Sequence, residues 1–235
     1  MAVGLILRAF SLTLSQTGDP RFRRVLFLGV GLTFALLVAV FAAFLLLLNW
    51  LIGPEATLPL IGEVTWINDL ATLTTFFVLM IMSVFLMVPV ASAITSMFLD
   101  DVAQAVEDKH YPTLPPVGRQ PVGEAIRDTV NFLGVLIGAN VVALILYVLL
   151  PPFALFIFWG LNGFLLGREY YTLAAMRRVG REEAKRLRKR HALTIWAAGV
   201  LMAMPLSIPL VNLVIPILGA ATFTHIYHGL DGRRG

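Results

Sequence analysis

Asp19-Pro20-Arg21-Phe22-Arg23-Arg24, running straight into the uncharged stretch from Val25 to Leu48, decides how the rest of the chain is read. An α-helix rises about 1.5 Å per residue, so about 24 apolar residues reach roughly 36 Å, enough to cross a hydrocarbon core about 30 Å thick. Asp19 has the side chain of a good N-cap. Pro20 suits the first helical position, where a missing N–H costs nothing. Three arginines therefore fall in the opening turns of an apolar helix. Positive side chains beside free helical N–H groups suit an anion. The same arginines also suit plain anchoring on the cytoplasmic side of a membrane.

The whole composition agrees with a membrane setting. Hydrophobic residues make up 58% of the chain and charged residues 14%, with a mean hydropathy of +0.85. Soluble domains hold roughly 45–50% apolar and 25% charged residues, so the chain reads as an all-α integral membrane protein forming one membrane domain over residues 1–235. There is no cysteine, which excludes disulfides, thiol catalysis and cysteine metal sites. The net charge of +4 is modest and its cations cluster beside apolar runs, which points to cytoplasmic loops and away from nucleic acid. No Walker, Rossmann or Gly-x-Ser-x-Gly motif is present, so neither an enzyme nor a cofactor is expected. His110, His191, His225 and His228 are scattered without completing a ligand set, so no metal is expected.

Outward from the first span the pattern continues. Residues 1–16 read as a short amphipathic helix in the membrane interface, with Leu5, Ile6, Ala9, Phe10 and Thr13 on one face. Leu70 to Leu99 is a second uncharged run, kinked at Pro89, so residues 19–99 form two long membrane helices. Residues 100–128 are polar and mixed in charge, with Asp100, Asp101, Glu107 and Asp108 on a solvated helix face. Residues 129–167 are uncharged but divided by Pro151-Pro152. Residues 192–228 repeat that design, with Pro205, Pro209 and Pro216. These are two Pro-broken helical hairpins that penetrate the bilayer partway. Backbone broken at membrane depth must be covered by protein or line a wet cavity, which motivates a homo-oligomer. Between the hairpins, residues 168–191 form a basic, exposed cytoplasmic segment in which Glu182 and Arg186 can pair. The basic clusters put both termini in the cytoplasm and the acidic Gly53 to Asp69 loop outside.

With the arginine turn, the Pro-split hairpin ending in Gly167-Arg168-Glu169-Tyr170-Tyr171, and Pro205-Leu206-Ser207-Ile208-Pro209-Leu210-Val211-Asn212-Leu213, the chain resembles the CysZ family of bacterial inner-membrane sulfate permeases. That family is grouped with the etoposide-induced membrane proteins. The resemblance covers nearly the whole chain. It implies two long membrane helices with two partly penetrating hairpins, an oligomer, a multi-pass place in the bacterial inner membrane, and sulfate uptake for cysteine biosynthesis. It also implies a sulfate site at a Gly-Leu-Arg-Arg-like turn. Arg23 and Arg24 match that turn's arginines, Phe22 its apolar position, and Arg21 stands in place of its glycine. Asn140, Asn162, Asn212, Arg168 and Glu169 are candidates for lining a polar pathway, because polar groups at membrane depth either join helices or face a conduit. The alternative function is a membrane scaffold or assembly protein that binds anionic lipid or a partner through its arginines.

Overall fold

The computed structural model describes residues 2–52, 57–58, 62–63, 98–115, 117, 122–212 and 214–230. The expected span from Leu70 to Leu99 lies outside the described residues except at its end. So do most of the Gly53 to Asp69 loop and the Arg233-Arg234 tail. The chain divides into two compact units, residues 1–26 with 97–235, and residues 27–96. Helices dominate the described residues, as the all-α reading requires. The exception is a minimal ribbon in the second unit, in which β1 (Thr57–Leu58) pairs antiparallel with β2 (Gly62–Glu63).

Helix α1 (Ala2–Ser15) buries Ile6, Ala9 and Thr13, the stripe that its periodicity marks. Helix α2 spans Pro20–Ile52, 33 residues, and opens where the Asp-Pro signal puts it. Its length of about 50 Å at the helical rise exceeds a bilayer core. Several side chains between Val25 and Leu48 lie outside the described set, however, and among the described residues no helix is long and apolar enough to cross a membrane.

In the first unit α3 (Leu99–His110) precedes the first hairpin, built from α4 (Val122–Leu149) and α5 (Ala154–Arg190). Pro151–Phe153 forms a 3-10 turn between them, and Leu150 leaves helical geometry as a residue before proline tends to do. Helix α5 does not end at Gly167. It continues through Arg168 to Val179, where neither Gly nor Pro intervenes, and breaks at Gly180, whose φ of 74° only glycine adopts easily. Arg181 to Arg190 then form the expected basic helix.

The second hairpin follows its prolines. Helix α6 (Ala192–Ala203) yields to a 3-10 turn at Met204–Ser207, a single helical turn α7 (Pro209–Asn212), and α8 (Ile215–Leu230). Helices α5 and α6 approach closely through glycines. A methyl group on Gly199 would fall 2.0 Å from the Gly163 carbonyl oxygen, and one on Gly167 would fall 2.7 Å from that of Ile195. Gly163 and Gly167 form a Gly-x-x-x-Gly pair, the spacing by which membrane helices bring backbones together. Helix α8 is buried from Ile215 to His228 except at the half-buried Leu218, and α1, α3 and α5 pack around it. A helix covered on nearly every side is central, and its Thr222, Thr224, His225 and His228 are buried with the apolar residues. Large apolar side chains elsewhere face outward, among them Ile137, Leu144 and Val148 on α4 and Phe156 on α5.

Candidate functional site

The opening turn of α2 is built from the cap inward. The Asp19 carboxylate accepts a hydrogen bond from the Arg21 backbone N–H at 2.9 Å, and its other oxygen accepts one from Gln16 Nε2 at 3.0 Å. Burial alone would raise the Asp19 carboxyl. The bonds from Gln16 and Arg21 and the charges of Lys109 and Arg21 outweigh it and lower the group. Asp19 is therefore occupied as a cap. Its own carbonyl takes the Arg23 N–H at 3.1 Å. The helix thus already uses the N–H of Arg23, and the cap carboxylate that of Arg21.

The three arginines divide. Arg21 pairs through Nη1 with Asp108 of α3. Arg23 and Arg24 are exposed, and among the described residues neither side chain has a hydrogen-bond or ion-pair partner. Phe22 and Val25 between and beyond them are 3% exposed and anchor the turn in the core. Gln16 Nε2 also reaches the Ala105 carbonyl at 3.2 Å, so the turn is tied to α3 at two points.

A second polar centre lies deeper, where α3, α5 and α8 meet. Glu107, expected on a solvated face, has a side chain only 3% exposed. It accepts bonds from Arg178 Nε at 2.9 Å and Nη2 at 2.6 Å, and lies 3.0 Å from His228 Nε2 and 3.5 Å from Arg177 Nη2. Burial by itself would push the carboxyl up. The bonds from His228 and Arg178 and the charges of both arginines prevail and hold it at about 2. The arginines bond onward: Arg177 to the Asp100 carbonyl at 2.6 Å and Gln104 Oε1 at 2.7 Å, Arg178 to the Pro115 carbonyl at 2.6 Å. Arg177 and Arg178 thus depart from the expected exposed segment, with side chains 7% and 11% exposed. A carboxylate of opposite charge on the facing helix is the physical reason.

Three of the four histidines, His110, His225 and His228, are brought together. His225 Nδ1 lies 3.0 Å from Tyr111 Oη, the His110 and His225 rings meet edge to face, and the Tyr111 ring lies against that of His228. Burial and the neighbouring Lys109 push His110 below its usual value. Among the described residues no group of three potential ligands is arranged to hold a metal.

Among the described residues no side-chain hydrogen bond or ion pair joins one pathway candidate to another. Asn140 on α4 and Asn162 on α5 each donate to the carbonyl one turn back, those of Leu136 and Phe158, both at 2.8 Å. Each amide therefore spends one donor on its own helix. Asn212 closes α7. Arg168 and Glu169, half-buried on α5, have no ion-pair partner among the described residues. Arg186 pairs with Glu183 at 2.8 Å, one turn position away from the expected Glu182.

A family model described as sulfate transporter CysZ/etoposide-induced protein 2.4 matches residues 6–216. No curated protein matches the chain. No solved structure matches it either.

Proposed function

Because the chain belongs to the sulfate transporter CysZ/etoposide-induced protein 2.4 family, we propose that it is an inner-membrane sulfate permease whose anion site is the opening turn of α2. One observation carries the site. Arg23 and Arg24 are exposed and uncommitted among the described residues, whereas Arg21, Arg177 and Arg178 are bound to carboxylates. Two adjacent guanidinium forks offer charge and several donors to a tetrahedral dianion, and the buried Phe22 fixes the turn that presents them. Asp19 does not repel the anion strongly, since its carboxylate is engaged by Gln16 and the Arg21 N–H.

In this reading α2 and the unit of residues 27–96 cross the membrane, and the two hairpins enter it partway. The exposed apolar faces of α4 and α5 meet lipid or further copies of the chain. Asn140, Asn162, Asn212, Arg168 and Glu169 remain candidates for the conduit. Glu169 and Arg168 stand out among them, being half-buried and unpaired among the described residues.

The test is binding of labelled sulfate, with flux into proteoliposomes containing only this protein. A charge-assisted hydrogen bond contributes roughly 1.5–3 kcal/mol, so Arg23→Ala with Arg24→Ala weakens binding at least about tenfold. Lys at both positions gives an intermediate loss, because the charge stays and the planar fork goes. A double Ala protein that inserts normally and binds sulfate like wild type refutes the site and leaves anchoring as the arginines' role.

A further inference from the structure

Asp108 sits against the one arginine of the opening turn that is not free, and its placement is built. Its Oδ2 meets Arg21 Nη1, while Oδ1 accepts a hydrogen bond from Gln104 Nε2 at 2.7 Å. Gln104 is held in turn, its Oε1 accepting from Arg177 Nη2 at 2.7 Å. Arg177 is buried and lies 3.5 Å from Glu107. A chain of bonds therefore runs from the interior of the α3–α5 interface out to a surface carboxylate, and ends on Arg21. The pair itself is open to water, the two side chains being 54% and 46% exposed. A surface ion pair of this kind is weak and exchangeable, while the groups that position Asp108 are not.

We propose that Asp108 is a tethered stand-in anion: it occupies Arg21 in the unliganded protein, and an arriving sulfate displaces it, so that Arg21 joins Arg23 and Arg24. This rests on the sulfate site proposed above. A carboxylate and a sulfate present the same oxygen acceptors to a guanidinium, so each can take the other's place without rebuilding the turn. The dianion has the advantage of its second charge, and the carboxylate that of being already in place. Asp108 thereby raises the threshold for occupancy and favours dianions, since chloride offers neither the charge nor the paired oxygens needed to break the pair. When sulfate leaves, the carboxylate returns, which shortens the time the anion is held. A permease needs such release, because a site that binds too firmly does not conduct.

The experiment measures sulfate affinity of the detergent-solubilised full chain for wild type, Asp108→Asn, Arg21→Ala and the two combined. Asp108→Asn keeps the size and a hydrogen-bonding oxygen but removes the charge. It should bind sulfate about threefold more tightly and discriminate less well against chloride. Damage to the fold would lower affinity, so a gain is a signature that a merely structural residue does not give. In the Arg21→Ala background Asp108→Asn should change little. A gain of the same size there would trace the effect to the general field of the carboxylate and overturn the exchange. Asp108→Ser serves as a second variant if Asp108→Asn does not insert, with the same gain expected. Unchanged or weaker binding in a well-inserted Asp108 variant refutes the stand-in role alone, provided that wild type binds sulfate and the Arg23, Arg24 double Ala protein does not. If wild type binds no sulfate, the site and the stand-in role fall together.

Discussion

Replacing Glu107 by Gln should cost the fold more than any other conservative change on α3. The carboxylate is 3% exposed and faces two arginines that are themselves almost wholly covered. Gln keeps the shape and one acceptor oxygen, but leaves both guanidinium charges in a poorly solvated place. Removing one partner from a buried ion pair costs about 3–5 kcal/mol. An independent route gives a similar figure. A carboxyl held at about 2 against an ordinary 4.5 corresponds to about 3.5 kcal/mol, at about 1.4 kcal/mol per unit. Because the folded value is the lower one, this stabilisation is complete above pH 4.5 and fades as the pH falls towards 2. His110 adds to acid sensitivity in both proteins, since a histidine kept neutral by burial loses stability as the pH falls below about 6.5. Thermal unfolding in detergent between pH 7 and pH 3 separates the two contributions. Wild type should lose stability steeply below pH 4.5. The Glu107→Gln protein should start about 10 °C lower at pH 7 and show a flatter profile in that window. Equal midpoints at pH 7, with parallel acid profiles, would refute the buried-carboxylate account.

Three further outcomes are expected. Gly199→Ala should force α5 and α6 apart, since its methyl group meets backbone at 2.0 Å, and the loss of assembly or thermal stability should exceed that of Gly138→Ala, which meets nothing within 4 Å. Neutralising Lys185, Arg188 and Lys189 together should leave sulfate affinity within about twofold, because these charges lie on a different element from the α2 turn, the half-buried Arg188 is engaged by the Thr172 hydroxyl, and exposed charges such as Lys185 and Lys189 are screened beyond about 10 Å; a large loss in well-inserted protein would relocate the anion site. Cross-linking in native membranes should trap species larger than the monomer, because the outward apolar faces of α4 and α5 and the Pro-broken turns need cover; recovery of monomer alone would refute the oligomer.

The sequence displayed its helices where single residues control the backbone. Asp19-Pro20 set the start of α2, Pro151-Pro152 divided the first hairpin, and Pro205, Pro209 and Pro216 segmented the second. The buried polar centre is less visible, because in sequence a charge ordinarily marks an exposed position. Its signal was nevertheless present in the periodicity. Leu99, Val102, Ala103 and Val106 form the apolar stripe of α3, and Glu107 falls four residues beyond Ala103 on that stripe. Tyr171, Ala174 and Ala175 mark the buried face of α5, and Arg178 continues it. A charge on a core stripe has to meet an opposite charge on the facing stripe. What periodicity does not supply is which helices face each other, so the pairing of Glu107 with Arg178 and His228 across 71 and 121 residues required the fold.

The two sets of charges on α3 differ in what they are able to do. Glu107 and its arginines lie in a place where separating them exposes unpaired ions to a medium that solvates them poorly, so the set cannot open and close during a transport cycle without a cost of several kcal/mol. Asp108 and Arg21, one residue further along and on the wet side of the same helix, separate for about 1 kcal/mol or less. A device that must bind and release an anion repeatedly has to use contacts of the second kind and keep them in register with contacts of the first. Gln104 makes that connection here, bonded on one side to Arg177 and on the other to Asp108. If the exchange proposed above operates, the interior network would hold α3 in place while the exposed pair changes partners, and the moving part would be a single surface carboxylate rather than a helix.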